Sequence, residues 1–90
     1  MHFDYDENKS QTNKEKHGID FVNAQKLWED KQGIVVPANI VGEEIRYALI
    51  AKFDTKCYVA IFTLRNEAYR LISVRRCRKN EEKNYENNHR

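Results

Sequence analysis

The sequence predicts a small α+β protein with two N-terminal helices, an antiparallel sheet of about four strands and one C-terminal helix. Three observations carry this prediction. Apolar residues recur at helical spacing before Gly33, alternate with polar residues between Ile34 and Arg76, and become rare after Lys79. The 90 residues allow one modest hydrophobic core, and no linker or repeat divides them. We therefore expect a single domain over residues 1–90.

The first two elements are predicted to be short helices with recognisable ends. Asp6 is placed to cap a helix that runs to about Lys16, and His17-Gly18 ends it, because glycine readily adopts the left-handed conformation that closes a helix. Asp20 is placed to cap the second helix. The apolar residues of that helix fall at helical spacing, namely Phe21, Ala24, Leu27 and Trp28, and on this ground Phe21 and Trp28 are assigned to the core.

Strands are predicted for most of the remaining chain. Short polar connections, Asp54-Thr55-Lys56 and Arg65-Asn66-Glu67, favour an antiparallel meander. Phe3 and Tyr5 alternate with aspartates, as in a short edge strand. The last helix is expected from about Lys79 to Asn87, with Tyr85 against the sheet and the residues from about 87 frayed. The predicted strands are Ile34–Val36, Ile45–Lys52, Tyr58–Leu64 and Tyr69–Arg76.

The charges of the chain are unevenly distributed. The net charge is only +2, yet residues 65–90 carry eight basic and four acidic side chains. The run Arg75-Arg76-Cys77-Arg78-Lys79 follows a predicted strand directly. Guanidinium groups at a strand end suit phosphate, because their planar fork donates two hydrogen bonds and keeps its proton. This part of the chain therefore points to RNA or another polyanion.

Several classes of protein are disfavoured by the sequence. Cys57 and Cys77 lie far apart without a CxxC pair, so we expect reduced cysteines that behave as small apolar residues, with neither a disulfide nor a metal site. No apolar run is long enough to span a bilayer, and Met1-His2-Phe3-Asp4 does not begin a secretory signal. We expect a cytoplasmic protein without membrane contact. Nucleotide-binding, metalloprotease and hydrolase motifs are missing, so no cofactor is expected.

Several local motifs occur in an order that is typical of one family. The motifs are Phe3-Asp4-Tyr5-Asp6, Lys9, Asn13, Lys16-His17-Gly18-Ile19-Asp20-Phe21, Ala24, Glu44-Ile45-Arg46-Tyr47 and Ile72-Ser73-Val74-Arg75-Arg76. In these respects the chain resembles the BrnT toxins of bacterial type II toxin–antitoxin systems over nearly its whole length. It departs from the family pattern at Tyr5, where tryptophan is usual, and in a last helix with fewer arginines.

The resemblance implies a RelE-like fold and an endoribonuclease that cleaves cellular RNA without a metal and blocks translation. It also implies neutralisation by a BrnA-like antitoxin in a heterotetramer of two toxins and two antitoxins. Contact with DNA would then occur only through the antitoxin.

Cleavage of RNA through the ribose 2′-hydroxyl needs proton transfer and stabilisation of extra negative charge on phosphorus. Cations and titratable side chains in the motifs are the candidates for these tasks. Arg75 and Arg76 are neighbours on one strand and must point to opposite faces. The candidate catalytic residues are Arg75, Arg76, Lys9, His17, Glu44 and Tyr85. The candidate RNA-binding residues are Arg46, Arg65, Arg78 and Lys79.

Each of these candidates also has a purely structural interpretation. His17 can cap the first helix through free carbonyls, and Glu44 can form a salt bridge with Arg46. Tyr85 can anchor the last helix. The remaining cations can be solvated surface residues. For the whole protein, the alternatives to a ribonuclease are a non-catalytic module that binds RNA or protein through its basic edge, and an inactive toxin remnant.

Overall fold

The structure, a computed structural model, describes residues 2–88 and has the predicted α+β class. The last helix has the predicted bounds, Lys79 to Asn87. Fraying was expected from about residue 87, and residues 89 and 90 of that stretch lie outside the described residues. The elements are β1 (His2–Asp4), α1 (Glu7–His17), α2 (Phe21–Ala24), a 3-10 turn (Gln25–Glu29), β2 (Ile34–Val41), β3 (Glu44–Phe53), β4 (Lys56–Arg65), β5 (Ala68–Arg76) and α3 (Lys79–Asn87).

The sheet has five strands rather than about four, and it is mixed rather than antiparallel. Its order is β1-β5-β4-β3-β2. Strands β2 to β5 form the predicted meander, whose turns at 54–55 and 66–67 have positive φ at both central residues, as tight hairpin turns require. The first strand joins β5 in parallel, with Phe3 beside Tyr69. Alternation over three residues indicated an edge strand, but a segment so short does not specify its partner.

Two elements differ from the prediction for local reasons. Strand β2 continues past Pro37, which pairs with Tyr47, because an edge strand tolerates a residue without a backbone N–H. The second helix changes to a 3-10 turn after Ala24, and the N–H of Asp30 donates to Leu27 O over 3.2 Å. This tighter winding ends the helical segment within a few residues.

The main core lies on one side of the sheet, which we call the first face. Helices α1 and α2 and the 3-10 turn cover it, where the predicted core residue Phe21 is fully buried, as is Leu27. Trp28 is half-buried and packs edge-on against Phe62, with ring centroids 5.2 Å apart. The aromatic Tyr5 packs edge-on against Phe21. These contacts hold the N-terminal segments on the meander.

Hydrogen bonds, rather than apolar burial, attach α1 to the rest of the protein. Its buried residues are Ser10 and Asn13. The Asn13 amide donates to Ile19 O at 2.8 Å and Val74 O at 2.9 Å, and accepts from Val74 N at 3.0 Å. The Ser10 hydroxyl accepts from Phe21 N. Because β1 pairs only with 68–70, the edge of β5 beyond that point is available to Asn13.

The opposite side of the sheet, the second face, carries α3. Tyr85 is buried there against residues of the sheet that include Ile50 and Val59, so the predicted anchoring role of its ring is confirmed.

The two cysteines form a disulfide, so the prediction that they stay reduced is wrong. Cys57 and Cys77 are 20 positions apart in sequence, but β4 and β5 are antiparallel neighbours and Tyr58 pairs with Arg76. Cys57 directly precedes Tyr58 and Cys77 directly follows Arg76, so the Cα atoms of the two cysteines are only 5.3 Å apart. The disulfide thus closes the β4–β5 hairpin where β5 passes into α3.

We expect reduction of this disulfide to destabilise the protein by about 3 kcal/mol, because it restores freedom to a loop of about 20 residues in the unfolded chain. Urea unfolding with and without reductant measures the difference. A Cys57→Ser/Cys77→Ser variant should have the same free energy of unfolding as the reduced protein, and reductant should not change it. Two titratable thiols in the oxidised protein, or equal stability after reduction, would contradict the role assigned to the disulfide.

Candidate functional site

A groove of about 340 Å³ separates α1 from β5. Helix α1 contributes Lys9, Thr12 and Lys16, whose spacing places them on one side of the helix. Strand β5 contributes Ile72 and Ser73 at a β-bulge. The groove is lined by Asp6, Asn8, Lys9, Thr12, Asn13, Lys16, His17, Ile72 and Ser73.

The bulge explains why β5 presents two consecutive residues to the groove. Ser73 pairs with Ile61, but Leu71 pairs with Phe62, so Ile72 is an extra residue without a partner. Just beyond it, the hydrogen bonds between Asn13 and Val74 fix the distance between helix and strand. The groove is therefore built on fixed backbone on both sides.

The cationic side chains of the groove are not ion-paired with any carboxylate of residues 2–88. Lys9, Lys16 and His17 are exposed, and within residues 2–88 none of them forms an ion pair or a side-chain hydrogen bond. The nearby carboxylate of Asp6 already accepts hydrogen bonds from the N–H groups of Asn8 and Lys9 as the cap of α1. An anionic ligand would meet three side chains that are free to bind it.

The structure does not use His17 as a helix cap. Helix α1 ends through Gly18, whose φ is +78° and whose N–H donates to Lys14 O at 2.9 Å. The imidazole is left exposed at the last turn of α1, beside the groove. The structural interpretation of His17 therefore loses its main support.

Arg75 serves a structural purpose on the second face. Its guanidinium binds the carboxylate of Glu81 at two points, each 2.8 Å long. The hydrogen bond from Arg75 lowers the pKa of Glu81, and the same contact raises the pKa of Arg75. This ion pair ties α3 to β5.

Arg76 lies on the opposite face from Arg75, as predicted, and remains accessible. Its guanidinium sits 5.6 Å from the centre of the Tyr58 ring, a cation–π contact that leaves its N–H groups available. Arg78 and Lys79 are exposed at the start of α3, where the Arg78 N–H donates to Glu81. These three cations lie near the end of β5.

Glu44, Arg46 and Arg65 form an ionic cluster at the other end of the sheet. The Glu44 carboxylate accepts hydrogen bonds from Arg65 and, at 3.5 Å, from Arg46, so the predicted same-face arrangement includes a cross-strand partner. The hydrogen bond from Arg65 lowers the pKa of Glu44. A carboxylate of low pKa held by two arginines is a weak proton acceptor near neutral pH.

Tyr85 has a phenol that is poorly suited to proton transfer. Its hydroxyl donates to Asp30 at 2.7 Å, and the same carboxylate accepts from the N–H of Lys52. Burial, with the contact to Asp30, raises the pKa of Tyr85 to about 12. The phenol therefore joins α3 to β3 and the 3-10 turn.

The predicted site residues thus separate into groups, and only Lys9 and His17 line the α1–β5 groove. Sequence reasoning missed Lys16, Thr12 and Ser73 as groove residues. The signal for the first two was present, since positions 9, 12 and 16 follow helical spacing on a helix with almost no apolar residues. Nothing in the sequence indicated the bulge that presents Ser73.

Residues 5–81 match a family model described as the ribonuclease toxin BrnT of type II toxin–antitoxin systems. The chain belongs to the BrnT toxin family. No curated protein shows a significant match to it. Membership of the BrnT family implies an RNA substrate and an antitoxin partner, and it confirms the resemblance drawn from the motifs.

Several residues of the BrnT-like motifs have clear structural tasks in this chain. Asp6 and Asp20 cap helices, and Asn13 and Phe21 are buried.

Residues 2–88 contain no group of three or more His, Cys, Asp or Glu side chains placed to hold a metal ion. No helix within the same range has the length and apolar character needed to cross a membrane.

The ion pair between Arg75 and Glu81 should make stability sensitive to acid. Because folding lowers the pKa of Glu81 below its ordinary value of 4.5, the contribution is present above that value and is lost as the pH falls through the folded-state pKa. We expect Glu81→Gln to cost about 1–2 kcal/mol at pH 7 and less at pH 3. Urea unfolding at both pH values measures it, with the exposed Glu82→Gln as control. An equal cost at both pH values would contradict this role.

Proposed function

We propose that this chain is an endoribonuclease that cleaves RNA in the α1–β5 groove, without a metal and with the ribose 2′-hydroxyl as nucleophile. The observation that carries the proposal is the set of side chains Lys9, Lys16 and His17 around one groove, without ion-pair partners among residues 2–88, in a member of a ribonuclease toxin family. Elsewhere on the sheet, Arg75 and Arg46 are bound to carboxylates. The free positive charge of the groove suits a phosphodiester.

In this mechanism the 2′-oxygen attacks phosphorus and the bond from phosphorus to the 5′-oxygen breaks. The products are a 2′,3′-cyclic phosphate and a 5′-hydroxyl. His17 exchanges a proton with the reacting oxygens, because imidazole both accepts and donates protons near neutral pH. Lys9 and Lys16 stabilise the extra negative charge on the phosphoryl oxygens. Ser73 and Thr12 supply hydroxyl groups on the two walls of the groove.

Of the two strand-end arginines, Arg76 is the better phosphate ligand, since Arg75 is held by Glu81. Val74 is bound to Asn13 and lies two residues before Arg76, a separation of about 7 Å along a strand. His17 lies one turn after Asn13, about 6 Å along the helix. Arg76 is exposed and follows this anchor on the same strand, so we propose that it binds a phosphate next to the scissile one, with Arg78 and Lys79 extending the basic surface.

We also propose where the protein acts, what it cleaves and how it is neutralised. The toxin blocks translation in the cytoplasm by cleaving cellular RNA, and a BrnA-like antitoxin neutralises it in a complex of two toxins and two antitoxins. Contact with DNA belongs to the antitoxin. Arg46 and Arg65, at the far end of the second face, are proposed to bind RNA beyond the groove.

The test is cleavage of a 5′-labelled RNA by the purified chain in the presence of EDTA, followed by analysis of the product ends. We expect fragments that end in 2′,3′-cyclic phosphate or its hydrolysed form. An RNA with 2′-deoxyribose at the cleaved position should resist cleavage. Salt-dependent binding of intact RNA without cleavage would replace the proposal with the non-catalytic module, and cleavage that requires a divalent ion would remove the metal-independent mechanism.

A further inference from the structure

At one end of the first face the outward side chains are apolar on every strand, and those on β2, β3 and β4 are exposed. Phe3 pairs with Tyr69, Tyr69 with Leu64, and Ile40 with Ile45. Since Arg46 pairs with Thr63, Ile45 and Leu64 are the next neighbours across β3 and β4. We call this set the apolar row: Phe3, Tyr69, Leu64, Ile45 and Ile40.

The exposure of the apolar row is large for its residue types. Ile40 is 68% exposed, Leu64 is 54% exposed and Ile45 is 49% exposed. Contiguous exposed apolar surface of this kind marks interaction sites on small proteins. Scattered single apolar residues would carry no such meaning, but these three occupy adjacent strands.

A groove of about 310 Å³ leads from the apolar row towards the helices. It is lined by Trp28, Val35, Tyr47, Phe62, Leu64 and Tyr69. The rings of Tyr47 and Phe62 stack with centroids 5.6 Å apart, and Trp28 lies 5.2 Å from Tyr69. Because the aromatic rings support one another, the groove exists before any partner arrives.

The charges around the apolar row decide among its possible occupants. The two turns at this end of the sheet carry Glu43 and Glu67, both exposed, and Glu43 also lines a cleft with Ile45 and Leu64. Arg46 lines a neighbouring cleft with Ile40 and Ile45, and its charge and that of Arg65 are paired with Glu44. RNA phosphates would meet carboxylates here, and a symmetric second copy would bring the acidic turns of one chain against those of the other.

We propose that the apolar row and its aromatic groove are the docking surface for the antitoxin. The antitoxin segment that fits is apolar, with lysine or arginine residues at its ends facing Glu43 and Glu67. The surface lies on the first face, whereas the α1–β5 groove has its strand wall at Ile72 and Ser73. Antitoxin binding at this position does not depend on the residues proposed for catalysis.

The experiment uses the full chain and its separately purified cognate antitoxin. Leu64→Lys places a charge in the apolar row, and Val22→Lys is the matched control, because Val22 is 57% exposed on α2 and outside the row. We expect Leu64→Lys to weaken antitoxin binding by about 30-fold or more, as for a central interface residue, and Val22→Lys to leave it unchanged. A Glu43→Lys/Glu67→Lys variant should also weaken binding, without any change in the strands.

Cleavage of RNA by each variant is measured in parallel. Parent-like cleavage with weakened antitoxin binding supports the docking surface. Antitoxin binding within twofold of the parent in Leu64→Lys and in the double turn variant overturns it. So does a result in which Leu64→Lys changes only RNA affinity or only self-association. Failure of the parent chain to cleave RNA would count against the proposed function alone, because antitoxin affinity is read separately.

Discussion

Replacing His17 with alanine should lower the rate of single-turnover RNA cleavage by about 10²–10⁴-fold, the usual contribution of one proton-transferring side chain. The unfolding midpoint should stay the same, because helix α1 ends through Gly18 and the imidazole is exposed. The measurement is cleavage of a short labelled RNA with enzyme in excess. Growth after induction of the variant should recover to the same extent as cleavage falls.

The matched control for this prediction is His2→Ala. His2 is exposed on β1 and does not line the α1–β5 groove, so cleavage should remain at the parent rate. Lys9→Ala and Lys16→Ala should each reduce cleavage to a smaller degree, through loss of charge stabilisation. Parent-like cleavage by His17→Ala would exclude His17 from proton transfer and move the search to other groups along the groove.

Asn13→Ala should cost about 3 kcal/mol or more, which is a large share of the 5–15 kcal/mol typical of a small domain. The substitution removes three hydrogen bonds and leaves buried groups of Val74 and Ile19 without partners. Because those bonds set the spacing of α1 and β5, cleavage should fall even under conditions in which the variant is folded. Urea unfolding and cleavage at low temperature measure the two effects.

Two further variants make this prediction specific. Asn23→Ala removes an exposed asparagine and should change stability little. Asn13→Asp keeps an acceptor for the N–H of Val74 but sets a carboxylate against two carbonyl oxygens, so it should be at least as destabilising as alanine. A loss below about 1 kcal/mol for both Asn13 variants would show that other contacts hold α1 in place.

The sequence specified those parts of the fold that depend on neighbouring residues. Asp6, Gly18 and Asp20 mark helix ends by capping chemistry that acts within a few residues, and the meander follows from alternation and short turns. The bounds of α3 and the anchoring by Tyr85 were predictable for the same reason.

Features that depend on distant pairing could not be predicted. The partner of β1 lies more than sixty residues away, and the disulfide depends on the register of β4 and β5 rather than on any cysteine spacing. The candidate site also depends on contacts between distant elements, which the sequence alone does not predict. His17 and Lys9 were recognised as chemically suitable, but the binding of Arg75 to Glu81 required the position of α3 on the sheet.

The hydrogen bonds between α1 and β5 also determine when the groove can form during synthesis of the chain. The cationic residues of the groove, Lys9, Lys16 and His17, all lie on α1, yet the opposite wall is at Ile72 and Ser73, and α1 is held at Val74. Residues 72–74 are synthesised long after α1, and until then α1 lacks these hydrogen-bond partners. The two walls of the groove therefore come together only after both α1 and β5 exist, and α1 alone does not form the site.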